Sequence, residues 1–127
     1  MSKYVLVMLG GALGAASRFA LGTFVSRLYT AVFPVGTFLV NISGSFLIGV
    51  LMTLFLYRPA INANWRLFLV TGILGGYTTF SSFEWETLFA VRTGASLIAI
   101  IYVLLSVVFG LFAAWLGAVV AARFCGY

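Results

Sequence analysis

The sequence predicts an all-α integral membrane protein of four transmembrane helices. Three observations carry that prediction. Hydrophobic residues make up 64% of the 127 residues and charged residues only 7%, too few charges to cover a water-soluble fold. The mean hydropathy is +1.20. The charges also fall between apolar windows whose lengths suit a helix crossing a bilayer, about 17–25 residues or longer when tilted. The connections between those windows are short, as helical bundles allow, so residues 1–127 read as a single four-helix membrane domain.

The first span is expected over 4–28, with Arg18 as the only charge between Tyr4 and Phe24. Lys3 ahead of an apolar run imitates a signal peptide. Arg18 interrupts that run and the rest of the chain is equally apolar, so this segment is read as a retained span. The second span, 35–57, contains no charge and is flanked by Phe33-Pro34 and Arg58-Pro59, where proline disfavours helix in the residue before it. The third, 64–89, has a charge-free core from Leu67 to Phe83 and continues across Glu84 and Glu86. The fourth, 94–123, is too long to stand upright in a bilayer and must tilt or emerge.

The middle of the third span is a poor helix. Gly75 and Gly76 are adjacent, and each glycine costs up to about 1 kcal/mol relative to alanine. Thr78, Thr79, Ser81 and Ser82 follow, β-branched or hydroxyl-bearing residues that compete with the helix for its backbone bonds. A break is therefore expected near 75–79. Lipid cannot satisfy the carbonyls it would free, so protein, water or an ion must, and discontinuous membrane helices are where ion sites are built. The alternative is packing: Gly72 and Gly76 form a GxxxG pair of the kind that lets helices approach closely.

Composition excludes several classes of function. Histidine is absent and Cys125 is the single cysteine, which removes disulfide frameworks, zinc sites and haem ligation. The net charge of +5 forms no basic cluster, so nucleic acid is not a partner and the charges face lipid headgroups. Lys3, Arg58, Arg66 and Arg123 fall on one side of the membrane and Arg27 and Arg92 on the other. That balance gives only a weak orientation bias. It leaves two readings open, a fixed orientation or insertion both ways with pairing into an antiparallel dimer.

Three spans carry stripes at i, i+4 spacing, the interval that shares a helix face: Gly10, Gly14, Arg18 and Gly22; Thr37, Asn41, Ser45 and Gly49; Tyr102, Ser106, Gly110 and Ala114. Small residues on such stripes serve packing. An intramembrane arginine instead faces a cavity or partner, or snorkels to the headgroups; both readings stand for Arg18. Asn41 offers two amide donors, to an interhelical bond or to a ligand. Tyr102 is either an interfacial anchor or a hydroxyl on a polar path. Phe80 and Phe83 share a face if helix resumes after the break, and the positive edges of their rings suit an anion, although phenylalanine in such a chain chiefly packs.

Three segments, GGALGAASRF from Gly10, GTFLVNISGSFLIG from Gly36 and GILGGYTTFSSFEWE from Gly72, resemble the signature segments of the Fluc/CrcB fluoride channels. With four spans and this length, the resemblance covers essentially the whole chain. It implies an antiparallel, dual-topology homodimer in the bacterial cytoplasmic (inner) membrane, with two fluoride pores. Phe80 and Phe83 would be the paired pore phenylalanines and Asn41 the asparagine of the conduction path. Thr37, Tyr102 and Ser106 would line a polar track, although Gly110 and Ala114 stand where the family carries further hydroxyls. Arg18 would face a vestibule, with Glu86 matching the vestibule carboxylate better than Glu84. A structural Na+ at the dimer interface would be held by backbone carbonyls of Gly75 and Thr78 from both subunits.

The activity the resemblance implies is passive export of fluoride down its own gradient. Donors from Asn41, the hydroxyls of Thr79 and Ser81 and the ring edges would replace the ion's water. No nucleophile and base are paired for enzyme chemistry. Two rivals remain at this stage. A small dual-topology, proton-coupled cation or drug exporter would need a membrane-embedded carboxylate, and the only acids, Glu84 and Glu86, lie late in the third span. A non-conducting assembly subunit would rest on the small-residue stripes alone.

Overall fold

Helix after helix is what so apolar a backbone can adopt, because only helices and closed barrels satisfy their own peptide groups in lipid. The computed structural model describes residues 2–29 and 31–126; Met1, Thr30 and Tyr127, part of the expected domain, lie outside the described residues. In chain order the elements are α1 (Lys3–Leu28), α2 (Val35–Tyr57), α3 (Ala63–Arg66), a π-helical segment (Leu67–Leu74), α4 (Gly75–Tyr77), α5 (Phe80–Arg92) and α6 (Ser96–Phe124). Helices α1, α2 and α6 are each long and apolar enough to cross a membrane. The protein is a multi-pass membrane protein.

The third passage is composite. Helical dihedrals run from Ala63 to Tyr77, stop at Thr78 (φ −74°, ψ 157°) and Thr79 (φ −148°, ψ 117°), and resume at Phe80. The π-helical turns over Leu67–Leu74 were not foreseen from the apolar pattern, which has no signature that separates i→i+5 from i→i+4 bonding. Such turns inside α-helices concentrate at functional sites.

Packing pairs the helices by direction. Helix α1 lies mainly on the π segment and α4, and α2 on α6. A Cβ on Gly14 would stand 2.0 Å from the Ile73 carbonyl oxygen, and one on Gly10 would stand 2.5 Å from that of Phe68. These successive contacts advance together along both elements, so α1 and the third passage run parallel. Added Cβ atoms would likewise stand 2.0 Å from the Ala114 carbonyl oxygen at Gly49 and 2.9 Å from the Gly10 Cα at Gly72. The GxxxG pair is thus a packing device, and the interruption lies just beyond it.

Lys3, Arg58, Arg66 and Arg123 gather at one end of the bundle, at or beside the starts of α1 and α3 and the ends of α2 and α6. The exterior is apolar, with Phe19, Leu111 and Phe124 turned outward, while Tyr102 and Val40 are the largest fully buried side chains.

This close packing makes a sharp prediction. Gly14→Ala forces a Cβ into backbone and is expected to cost about 1–3 kcal/mol, as overpacking does. Gly11→Ala meets nothing within 4 Å and should stay within about 0.5 kcal/mol of the parent. Equilibrium unfolding in detergent micelles checks both, and equal losses would contradict the packing described.

Candidate functional site

The interruption at Thr78–Thr79 creates the site by freeing polar backbone inside an apolar bundle. Its upstream end is closed locally: the Leu74 carbonyl accepts from the Thr78 N–H at 3.0 Å and from the Thr78 hydroxyl at 2.9 Å. Downstream, Thr79 caps α5. Its Oγ1 accepts from the Ser82 N–H at 3.3 Å and donates to the Ser82 hydroxyl at 3.0 Å, a threonine cap satisfying one of the orphan donors of a helix start.

The peptide of Thr79 is satisfied from another helix. Asn41 of α2 donates from Nδ2 to the Thr79 carbonyl at 3.0 Å and accepts the Thr79 N–H on Oδ1 at 2.9 Å. An amide can read both halves of one residue's backbone this way, and one N–H of its NH2 group remains available. Because the Thr79 N–H goes to Asn41, the Gly75 carbonyl four residues back lacks its usual helical partner. Gly75 is exposed and Thr78 half-buried.

Two cavities flank Thr79, which lines both. One, of about 400 Å³, is bounded by Asn41, Ser45, Thr78, Phe80, Phe83 and Ser106. The Ser106 hydroxyl is buried there with no hydrogen-bond partner among the described residues. The other, of about 280 Å³, is bounded by Arg18, Thr37, Ser82 and Glu86. Arg18 and Glu86 also share the adjoining cavity of about 390 Å³. Phe80 and Phe83 lie 5.8 Å apart between ring centroids with planes at 38°, and Phe83 continues to Tyr102 at 5.0 Å.

Glu86 organises the second cavity. Thr37 donates to its Oε1 at 2.6 Å and Tyr102 to its Oε2 at 2.8 Å, so one carboxyl group holds hydroxyls from both α2 and α6. Glu84 is exposed on the other side of α5, so of the two acids it is Glu86 that faces the site.

Most residues singled out from sequence converge here: Arg18, Thr37, Asn41, Thr79, Phe80, Phe83, Glu86, Tyr102 and Ser106, with Gly75 and Thr78 at the interruption. Ser81 does not; it is exposed and lines neither cavity, and its neighbour Ser82 stands in the site instead. Ser45 also lines the first cavity, which its place on the Thr37–Asn41 stripe could have signalled. Two contacts had no sequence signal: Phe33 stacked edge-on to Tyr102 at 5.1 Å, and the Tyr77 hydroxyl 2.8 Å from that of Ser43.

The shared acceptor predicts measurable coupling. In a double-mutant cycle pairing Thr37→Val with Glu86→Gln, the coupling on unfolding stability should be about 0.5–3 kcal/mol. Tyr102→Phe with Glu86→Gln should behave alike. Additive effects in both cycles would mean that the carboxylate does not hold the two hydroxyls.

Comparison with known proteins covers nearly the whole chain. A family model described as CrcB-like protein, Camphor Resistance (CrcB), matches residues 5–118. A protein of Solibacter usitatus (strain Ellin6076) named "Fluoride-specific ion channel FluC" is 52% identical over 121 residues, 95% of this chain and 99% of that one. Similar proteins bear the same name in Acidobacterium capsulatum, 44% identical across 95% of this chain and 97% of its own, and in Anaeromyxobacter sp. (strain K), 45% identical across 91% of each.

Proposed function

We propose a channel for fluoride, because this chain belongs to the CrcB family. The curated relatives are named as ion channels, not enzymes. The observation that carries the reading is full-length similarity to those channels in a chain whose polar groups converge on two cavities around Thr79.

Fluoride is small and holds its water tightly, so a membrane path must replace that water with donors. The spare N–H of Asn41, the unpartnered Ser106 hydroxyl and the edges of Phe80 and Phe83 are donors of this kind on the first cavity. Thr37 and Tyr102 would extend the track while Glu86 holds their hydroxyls. Thr79 contributes through its position, its own hydroxyl being engaged with Ser82, and Ser81 would act only if a second copy covered it. Arg18 would raise the local anion concentration at the mouth of the second cavity. A path with this donor set favours fluoride over larger, more weakly coordinated chloride. Flow is passive, outward from the cytoplasm through the bacterial inner membrane.

The working unit in this reading is an antiparallel homodimer with two pores, its third passage interrupted at mid-bilayer depth. Phe80 is 71% exposed on the single chain, and Gly75 is exposed nearby. A second copy laid across that face would enclose the ring and bring the carbonyls of Gly75 and Thr78 towards their counterparts. Such an all-oxygen set suits a hard cation, and among the described residues no group of three or more acidic, histidine or cysteine side chains could hold one instead. A structural Na+ bound there would supply a fixed positive charge that offsets the cost of an anion in the membrane.

Fluoride efflux from voltage-clamped liposomes containing only the purified protein, with chloride measured in parallel, tests this reading. Fast fluoride loss with little chloride movement is expected. Asn41→Ala and Phe80→Ala should each lower the rate at least about tenfold, the factor set by roughly 1.4 kcal/mol in a barrier. A requirement for a proton gradient would replace the channel with a coupled carrier, and silence from folded, dimeric protein would leave an assembly subunit.

A further inference from the structure

We propose that the cationic end of the bundle carries a docking site for an anionic phospholipid, in the lateral cleft between the start of α1 and the α3–π junction. The cleft encloses about 420 Å³ between Leu6 and Leu9 on one side and Asn62, Asn64, Trp65 and Phe68 on the other. None of these residues belongs to the cavities around Thr79.

The packing explains why the cleft exists. Farther along, α1 and the third passage meet backbone to backbone, where a Cβ on Gly10 would stand 2.5 Å from the Phe68 carbonyl oxygen. Towards the bundle end the glycines give way to Leu6 and Trp65, and the two elements stand apart. Leu9 and Trp65 are more than half exposed, so the cleft opens sideways, where lipid lies.

Its chemistry is graded along the helix axes in the way a lipid is. Lys3 precedes Leu6 by three residues, about 4.5 Å of helix rise on the outer side, and Leu9 lies deeper by the same step. Across the cleft Asn62 and Asn64 come first, Asn62 being engaged as the α3 cap through the Asn64 N–H. Phe68 lies deepest, and Trp65 meets its ring edge-on at 6.3 Å between centroids; Arg66 is the next residue after Trp65 at the end of α3. The Asn62 and Asn64 amides in the lining, with the cations of Lys3 and Arg66 on the same helix ends, suit a headgroup, and the apolar walls suit an acyl chain.

The sign of the charge selects the lipid. The bundle end carries Lys3, Arg58, Arg66 and Arg123, while the only acidic side chains in the sequence, Glu84 and Glu86, lie beyond the interruption on α5. Basic pockets between membrane helices, with tryptophan at the interface, attract acidic headgroups. The occupant is therefore an acidic phospholipid such as phosphatidylglycerol, in preference to a zwitterionic one.

Tryptophan quenching tests this without reference to ion flux. The three tryptophans are Trp65, Trp85 and Trp115, so the variant carrying Trp85→Phe and Trp115→Phe reports from the cleft alone. The dimeric protein is reconstituted in vesicles with increasing mole fractions of bromine-labelled phosphatidylglycerol or phosphatidylcholine. Half-maximal quenching of Trp65 is expected at an at least threefold lower fraction of the acidic lipid, and Lys3→Gln with Arg66→Gln should abolish that preference. Trp65→Phe with Trp115→Phe, which leaves Trp85 on α5 towards the opposite end, where Arg27 and Arg92 balance Glu84 and Glu86, should show none. Equal quenching of Trp65 by both lipids overturns the site. So does a preference that survives loss of both cations, or one shared by Trp85, which would mark general lipid enrichment around a cationic protein.

Discussion

The structure depends on one pairing, the amide of Asn41 on the backbone of Thr79. A helix interrupted in an apolar bundle exposes peptide groups that neither lipid nor aliphatic side chains can satisfy, at about 1–3 kcal/mol for each one left unpaired. Asn41 answers the N–H and the carbonyl of the same residue at once. This fixes α2 against the interruption, and with it the positions of Thr37 and Ser45 on the same stripe. It also withdraws the Thr79 N–H from the Gly75 carbonyl four residues back.

Everything polar is arranged outward from that pairing. On one side lie the phenylalanine pair and the unpartnered Ser106 hydroxyl; on the other, Glu86 binds hydroxyls from α2 and α6 and shares its cavity with Arg18. Thr79 stands between. Thr79 thus joins two cavities whose linings carry polar side chains of α1, α2, α5 and α6. The glycine contacts of α1 with the third passage and of α2 with α6 supply the rigid frame, and the bundle surface is left to lipid or to a second copy.

Much of this was legible in the sequence because the signals were local. The charge-free second window coincides with α2 from Val35 to Tyr57, since proline marks one end and charge the other. Helical dihedrals lapse at Thr78 and Thr79, just after Gly75-Gly76, and Thr37 and Asn41, one turn apart on α2, each line a cavity beside Thr79. What was not legible depended on rotation and on distant contacts. Ser81 and Ser82 are indistinguishable in composition, and the phase of α5 after an irregular pair of residues decides which faces inward. The π-helical turns shift the register of Leu67–Leu74 without any change in residue type. Phe33 meets Tyr102 across 69 positions of sequence, a distant contact that no local pattern marks.

Amide hydrogen exchange at Thr79, followed by NMR in the reconstituted protein, tests the central pairing most directly. Thr79 precedes α5 and has no helical acceptor, so its N–H should exchange slowly only if Asn41 holds it. Strong protection in the parent, lost in Asn41→Ala while amides within α2 and α6 stay protected, is the result this account predicts. A Thr79 amide that exchanges as fast as those of the exposed connections, or one that keeps its protection without Asn41, would contradict it.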